Sequence, residues 1–171
     1  EKYIPGESLS TNSKEKISKL SSNESPFKIP RKVINKVNSL VLSSNLYPDG
    51  DCNLLKNQLV KTFNLKFKNI ICGNGPDDVL SVIAQTFSKE GGEVICSEFG
   101  FTYYPIIARA SGCKVVIAKS DKLKISCDNI LKSISKRTRI IFIANPNNPT
   151  GTIIFKEELL NFLQNVPKNI I

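Results

Sequence analysis

The sequence predicts an α/β fold in which a mostly parallel sheet lies between two layers of helices. From residue 70 onward, short runs that are apolar at every position alternate with segments whose apolar residues recur at helical spacing. Strands that are apolar on both sides are typical of buried parallel sheets, and regular alternation of strand and helix indicates crossover connections. Together these patterns predict a three-layer sandwich.

Each predicted element comes from a local pattern of apolar and turn-forming residues. The predicted strands cover residues 70–72, 94–96, 115–118 and 140–144. The predicted helices cover residues 31–42, 76–88, 102–111, 128–135 and 156–164, and a further helix follows the Tyr-Pro-Asp-Gly turn at residues 47–50. Residues 1–25 are polar and indicate an extended arm, whereas residues 169–171 resemble the start of another buried strand.

Length and composition exclude several classes of protein. The 171 residues are 40% hydrophobic and 23% charged, which is ordinary for a globular domain with its own core. No apolar run approaches the roughly 20 residues that span a bilayer. The opening residues have neither the apolar core nor the cleavage site of a signal peptide. We therefore expect a cytoplasmic protein that does not bind membranes.

The residue types present limit the chemistry. There is no histidine, so no imidazole can act as a general base or metal ligand. The five cysteines are odd in number and form no CxxC pair, which argues against a disulfide framework or a zinc site. Cys72, Cys96 and Cys113 lie in or beside apolar runs and are expected to be small buried thiols. No metal site is predicted.

The net charge of +9 raises the question of nucleic-acid binding. The lysines, however, are spread along the whole chain, and there is no RNP, zinc-finger or P-loop signature. Isolated lysines on solvated faces account for this distribution. We expect no nucleic-acid partner, although a mild positive field favours anionic small molecules.

The first candidate site is the turn at residues 72–78, which follows a predicted strand and opens a predicted helix. Gly75 allows a tight turn, Pro76 suits the first helical position, and Asp77 lies at the positive end of the helix dipole. The free amides of such a junction can bind a phosphate. The same pattern also fits a plain capped turn, and this motif alone leaves both interpretations open.

The second candidate site is the Asn-Pro-Asn-Asn-Pro-Thr-Gly loop at residues 145–151. It follows the predicted strand at 140–144, at the carboxyl end where open α/β sheets bind ligands. Two prolines restrict the loop, and Asn148 presents both an amide donor and an acceptor. Such a loop suits recognition of a phenolic oxygen on a flat cofactor.

This loop resembles the Asn-Pro-Thr-Gly element of fold-type-I, class I/II pyridoxal-phosphate-dependent aminotransferases. Other motifs are similar to those of the histidinol-phosphate aminotransferases in this family, in the same order along essentially the whole chain. They lie at residues 3–6 (Y-x-P-G), 20–27 (L-x-x-N-E-N-P-F), 46–50 (Y-P-D-G), 73–78 (G-N-G-S-D-E), 101–105 (F-x-x-Y-P) and 141–151 (I-F-I-A-N-P-N-N-P-T-G). The resemblance implies the large domain of the pyridoxal-phosphate transferase fold.

The resemblance also implies roles in cofactor binding. Asn148 would hydrogen-bond the 3-oxygen of pyridoxal 5'-phosphate, and Tyr104 would stack on its ring. The turn formed by Gly75, Pro76 and Asp77 would hold its phosphate. For Tyr104, the alternative is a core or surface aromatic without a ligand.

A second group of implied roles concerns the partner subunit and the substrate. The family builds its active sites at a homodimer interface, so Tyr47 would reach the phosphate bound by the other subunit. Tyr3 and Asn23 would line the substrate pocket. Because such arms vary, a role outside the pocket stays open for these two residues.

Several residues depart from the family pattern. Pro76 stands where the family usually has Ser or Ala, which removes one backbone N–H and one possible hydroxyl from the phosphate cup. Asp78 replaces the usual Glu, and residues 97–100 replace a Pro-Glu-Pro-Thr segment. The sequence holds neither the Schiff-base lysine motif, nor the Asp that pairs with the pyridine nitrogen, nor the substrate-binding arginines. No catalytic residue is therefore assigned.

The implied activity is histidinol-phosphate transamination, a step of histidine biosynthesis. It transfers an amino group between glutamate and imidazole-acetol phosphate, giving 2-oxoglutarate and L-histidinol phosphate. Another class I/II aminotransferase acting on aromatic amino acids, or a threonine-phosphate decarboxylase-like enzyme, is the nearest alternative. A non-catalytic, truncated remnant is the alternative of another class.

The resemblance predicts how the chain is organised. Residues 1–45 would form the N-terminal arm and first helix, and residues 46–171 the front part of the large cofactor-binding domain. The rest of that domain and a small C-terminal domain would lie outside this sequence. The absence of methionine favours an incomplete sequence, and residues 1–171 by themselves are expected to be inactive.

Overall fold

The computed structural model describes residues 20–171, which form two compact units, residues 20–72 and 73–171. Tyr3 and most of the predicted arm therefore lie outside the described residues. None of the helices within residues 20–171 has both the length and the apolar character that a membrane span requires.

The first unit contains two α-helices. They are α1 (Arg31–Val41) and α2 (Asn53–Phe63). The Asp49 carboxylate caps the start of α2, because it accepts hydrogen bonds from the amides of Asn53 at 2.8 Å and Asp51 at 3.1 Å. These bonds, with that from Asn53 first, hold the pKa of Asp49 below its usual value.

Residues 70–72 form no strand, so that prediction is wrong. Ile71 is 79% exposed, and the segment follows a single turn of 3-10 helix at Phe67–Asn69. A strand exists only as part of a hydrogen-bonded ladder. The ladder found within residues 20–171 is built from three later strands. An apolar run does not by itself reveal whether a neighbouring strand is present.

The second unit alternates helices and strands around a parallel sheet. In chain order its elements are α3 (Pro76–Phe87), β1 (Glu93–Ser97), α4 (Tyr103–Ala110), β2 (Lys114–Ala118), α5 (Cys127–Lys132), β3 (Thr138–Phe142) and α6 (Lys156–Asn165). β1 lies between β2 and β3, and both pairings are parallel. In this register Val94 pairs with Val115 on one side and with Ile140 on the other.

Apolar side chains cover both faces of the sheet. One cluster packs α3 and α4 against the sheet and includes Val94, Tyr104 and Phe142. The other packs α5 and α6 against the opposite face and includes Ile95 and Phe162. Val94 and Ile95 belong to different clusters because successive strand residues point to opposite faces. The prediction of a three-layer α/β fold is confirmed.

Ile171 extends the hydrogen bonding beside β3. Its amide donates to the Arg139 carbonyl at 3.0 Å, and its carbonyl accepts from the Ile141 amide at 2.9 Å. Ile171 thus bonds to the two residues on either side of Ile140, which is the hydrogen-bond pattern of a parallel ladder. The strand-like character predicted for residues 169–171 is therefore present at Ile171.

Candidate active site

The carboxyl ends of the three parallel strands form one edge of the sheet. The helix of a parallel crossover runs antiparallel to its strands, so α4, which connects β1 to β2, begins at that edge. Ser81 Oγ in the first half of α3 lies 3.0 Å from the hydroxyl oxygen of Tyr103 at the start of α4, which brings this part of α3 to the same edge. The turn before α3, Tyr104 near the start of α4 and the loop after β3 are thus brought to the same edge. Ligands of open α/β sheets bind at this edge.

The turn that opens α3 has little room for side chains at its start. A Cβ atom on Gly73 would lie 2.7 Å from Val79 Cγ2 and 2.8 Å from Asp78 Oδ2. Asp78 Oδ2 also accepts a hydrogen bond from the Asn74 amide at 2.8 Å. The aspartate that replaces the family's usual glutamate therefore stabilises the turn itself.

Gly75 and the first turn of α3 form an open, amide-rich surface. Gly75 has φ +91°, a conformation that favours glycine, and no atom lies within 4 Å of a Cβ built there. Pro76 occupies the first helical position and contributes no N–H. The amides of Asp77 and Asp78 follow, where the helix itself provides no acceptor. This arrangement can bind an anion at the positive end of the helix dipole.

The loop after β3 is held by a set of short hydrogen bonds. The Asn145 carboxamide pairs with the backbone of Ile154, donating to its carbonyl and accepting from its amide, both at 3.0 Å. The Asn147 amide donates to the Thr152 carbonyl at 2.9 Å, and the Asn147 carbonyl accepts from the Gly151 amide at 2.7 Å. The backbone on either side of Asn148 is therefore fixed.

Asn148 itself is half-buried, and its side chain has no hydrogen-bond partner within residues 20–171. Neither polar atom of its carboxamide is fully enclosed. A donor and an acceptor on a rigid loop are thus available to a ligand. The predicted contact of Asn148 with the cofactor stays a prediction.

Tyr104 lies largely in the core, where it is 8% exposed. Its ring stacks on Phe142 with centroids 4.9 Å apart and planes at 15°, and it meets Phe101 edge-on at 5.5 Å. Burial raises the pKa of its hydroxyl. Because Phe142 covers one face of the ring, a flat ligand can stack only on the other face. The predicted role of Tyr104 in ring stacking stays a prediction.

Asn147 is a buried polar residue that the sequence did not single out. It is 4% exposed, and its Nδ2 atom donates to the Phe99 carbonyl at 2.9 Å and to Thr150 Oγ1 at 2.7 Å. Its Oδ1 atom is buried and has no partner among the described residues. The only sequence signal is a second asparagine beside Asn148, which does not tell the two roles apart.

Comparison with known proteins identifies the family. The family model for class I and II aminotransferases matches residues 15–171. The chain belongs to the class I and II aminotransferases.

Curated relatives of this aminotransferase chain are histidinol-phosphate aminotransferases. That of Pelagibacter ubique is 37% identical over 171 residues, which is 100% of this chain and 47% of the relative. That of Zymomonas mobilis is 36% identical over 169 residues, which is 99% of this chain and 46% of the relative. The chain thus spans about half the length of the curated relatives it matches, and the predicted resemblance is confirmed.

Solved aminotransferases share the fold of this chain. Histidinol-phosphate aminotransferase from Sinorhizobium meliloti, in complex with pyridoxal-5'-phosphate, has a TM-score of 0.83 at 22% identity, and covers 88% of this chain and 41% of its own. A mutant of Thermus thermophilus aspartate aminotransferase has a TM-score of 0.77 at 21% identity, and the match covers 86% of this chain and 44% of the mutant's chain. Similarity at this identity supports the fold.

Two further residues of the aminotransferase prediction lie in the unit of residues 20–72. Tyr47 is fully exposed and follows α1, and Asn23 is exposed in the segment before α1. The roles predicted for Tyr47 at the partner's phosphate and for Asn23 in the substrate pocket stay predictions. Tyr3, predicted beside Asn23, lies outside the described residues.

Glu98 joins the ends of two strands at the candidate edge of the aminotransferase sheet. Its carboxylate accepts hydrogen bonds from Lys119 Nζ at 2.7 Å and from the Ser120 amide at 3.1 Å. The Lys119 contact is the first cause that lowers the pKa of Glu98, followed by the Ser120 amide. Glu98 thereby fixes the loops that follow β1 and β2, although the chain here departs from the family's usual segment.

Proposed function

We propose that the complete protein is a histidinol-phosphate transaminase, of which this chain forms the front part. The observation that best supports this proposal is the carboxamide of Asn148, which lies at the carboxyl edge of the sheet and has no hydrogen-bond partner among the described residues. It lies on a chain that is 37% identical along its whole length to a curated histidinol-phosphate aminotransferase. A rigid, solvent-accessible amide at this edge suits a cofactor rather than the core.

The proposed cofactor is pyridoxal 5'-phosphate. Its phosphate would lie at the start of α3, held by Gly75, Pro76 and Asp77, where the open space at Gly75 and the first-turn amides suit an anion. Asn148 would bind the 3-oxygen, and Tyr104 would contact the ring. The residues present therefore fit the group, although Pro76 offers one amide fewer than the family's usual residue.

When bound, the cofactor would supply an aldehyde that accepts and returns an amino group and a ring that serves as an electron sink. The residues described here would bind and orient the cofactor. The Asn148 amide would donate to the 3-oxygen and favour its ionised form, because a donor stabilises a negative oxygen. The amides of Asp77 and Asp78 would hold the phosphate.

The proposed substrates are anionic, in agreement with the net charge of +9. Glutamate and imidazole-acetol phosphate would exchange an amino group, giving 2-oxoglutarate and histidinol phosphate. Tyr3 and Asn23 would line the substrate pocket. The complete protein would act as a homodimer, with Tyr47, which is fully exposed in this chain, reaching the phosphate in the partner subunit.

The proposed location is the cytoplasm. Support comes from the cysteines, because Cys52, Cys72, Cys96, Cys113 and Cys127 are all free thiols. Burial raises the pKa of Cys96 to about 12, so this thiol stays protonated and unreactive. Free cysteines are typical of a reducing compartment.

A transaminase assay of the complete protein tests the proposal. The protein is produced in a host that lacks its own histidinol-phosphate aminotransferase, loaded with pyridoxal 5'-phosphate and supplied with histidinol phosphate and 2-oxoglutarate. We expect glutamate formation with this donor and a much smaller kcat/KM with phenylalanine or tyrosine.

The other outcomes separate the alternatives. A larger kcat/KM with the aromatic donors would assign an aromatic-amino-acid aminotransferase. Release of carbon dioxide from threonine phosphate would assign a decarboxylase. A protein that binds the cofactor yet transfers no amino group from any donor would be a non-catalytic remnant.

A further inference from the structure

Asn147 joins loops that follow different strands. Its Nδ2 atom donates to the carbonyl of Phe99, which follows β1, and to Thr150 Oγ1 in its own loop. Thr150 Oγ1 lies 2.9 Å from Thr152 Oγ1, which donates to the Leu123 carbonyl at 3.2 Å. A chain of hydrogen bonds thus runs from the loop after β1, through Asn147, to the segment before α5.

The orientation of the Asn147 carboxamide follows from its neighbours. The reverse orientation would place Oδ1 against the Phe99 carbonyl oxygen, and two acceptors would face each other without a proton between them. Asn147 therefore acts here as a double donor, and Oδ1 stays buried without a partner. Both donor contacts are thus made although an unpaired buried oxygen is rare in proteins.

The consequence falls on the next residue in the chain. The backbone amide and carbonyl of Asn147 are both bonded within the loop, to Thr152 and Gly151. The side chain then ties that loop to the end of β1. Asn148 follows directly, and its own carboxamide has no partner among the described residues. The hydrogen bonds that hold the backbone beside Asn148 are therefore those of Asn147, and no hydrogen bond of its own side chain adds to them.

We propose that Asn147 is the positioning residue for Asn148: its buried double-donor carboxamide aims the Asn148 amide at the 3-oxygen of the cofactor. This inference rests on the proposed function. Asn147 does not touch the cofactor, and it acts through the loop. Its loss lets the loop move away from the strand edge and lengthens the Asn148 contact.

The test is the pH dependence of the visible absorbance of pyridoxal 5'-phosphate bound to the complete protein. Asn148→Ala removes a charge-assisted hydrogen bond, and the midpoint of the absorbance change is expected to rise by about 1 pH unit. Asn147→Ala is expected to raise the midpoint by about half as much. In the Asn148→Ala background, the same Asn147→Ala change is expected to have no further effect on the midpoint.

Two substitutions at Thr150 provide a second test in case the Asn147→Ala variant does not fold. Thr150→Val keeps the side-chain shape and removes one acceptor of the Asn147 Nδ2 atom, so a smaller upward shift of the midpoint is expected. Thr150→Ser keeps the hydroxyl and is expected to leave the midpoint unchanged. The melting temperature of the cofactor-free protein measures the purely structural part of each change.

Each result decides the matter. A midpoint that is unchanged in both Asn147→Ala and Thr150→Val overturns the inference while the proposed function stands. An Asn147→Ala shift of equal size with and without Asn148 also overturns it, because the effect would then not pass through Asn148. A wild-type protein that acquires no visible absorbance with pyridoxal 5'-phosphate overturns both the inference and the proposed function.

Discussion

At the scale of single residues, Pro76 has opposite effects on the helix and on the proposed phosphate site. Proline is favourable at the first helical position, because that N–H has no partner in the helix and the ring presets φ. The same missing N–H would remove one donor from the proposed phosphate site. The chain would then have a lower affinity for the anion and a better-defined start of α3.

Replacing Pro76 tests this exchange. Pro76→Ser restores an amide and adds a hydroxyl, so the Kd for pyridoxal 5'-phosphate is expected to fall about 5- to 10-fold. The Kd is measured by titrating the cofactor-free complete protein with pyridoxal 5'-phosphate. Pro76→Ala restores the amide alone and is the matched control, with a smaller expected decrease. Equal Kd values in wild type and both variants would contradict a phosphate site at this turn.

The two adjacent asparagines show where sequence reasoning stops at this scale. The motif alone predicts a role for Asn148, because its position before Pro-Thr-Gly carries the resemblance. Asn147 has the same donors and acceptors, and only folding separates them. Its partner Phe99 is 48 positions away in the sequence. No local pattern predicts a contact between a side chain and so distant a carbonyl.

At the scale of elements, helices were easier to predict than strands. The helical spacing of apolar residues predicted a helix at 31–42, and α1 is Arg31–Val41. The run at 70–72 predicted a strand that is absent. Helical hydrogen bonds are local, so the apolar pattern of one segment is enough to predict a helix. A strand depends on a neighbour that lies elsewhere in the sequence.

The start of β1 illustrates another long-range interaction. Glu93 is buried, and its carboxylate accepts hydrogen bonds from Ser135 Oγ and from Arg137 Nε and Nη2, the latter two at 3.1 and 2.8 Å. The bond from Ser135 is the largest cause that lowers the pKa of Glu93; burial opposes it, and Arg137 adds to it. These contacts connect the central strand to the turn before β3.

We expect Arg137→Met to lower the free energy of unfolding by about 1–2 kcal/mol near neutral pH. The Arg137 side chain is 66% exposed, so solvent screens part of the interaction. Because the folded pKa of Glu93 lies below its unfolded value, its contribution is present above the unfolded pKa and is lost as the pH falls through the folded pKa. Denaturant unfolding of the complete protein at about pH 7 and about pH 4 measures the effect.

Lys136→Met provides the control for this pair, since it removes the same charge from the adjacent position. We expect little change at either pH. If the difference in free energy of unfolding between wild type and Arg137→Met grows as the pH falls, the buried carboxylate of Glu93 is not the source of that difference.

At the scale of the whole molecule, the proposed homodimer raises the question of how two copies would share an active site. Tyr47 is fully exposed and the Asn148 amide has no hydrogen-bond partner among the described residues, so both are available to a proposed site built by two subunits. In a symmetric dimer, each site would then combine Asn148 of one protomer with Tyr47 of its partner. The two residues would never belong to the same subunit within one site.

Hybrid dimers test this arrangement directly. Subunits carrying Tyr47→Phe and subunits carrying Asn148→Ala are co-produced with different affinity tags, and the mixed dimer is isolated with both tags. One of its two sites would combine the intact Asn148 with the intact Tyr47, so the kcat of the mixed dimer is expected to be about half that of wild type, well above either parent.

The mirror experiment pairs a wild-type subunit with one that carries both substitutions. Every site then has one defect if the residues come from different subunits, and low activity is expected. If the residues come from the same subunit, the results reverse: the first hybrid stays as weak as its parents, and the second keeps about half the wild-type activity.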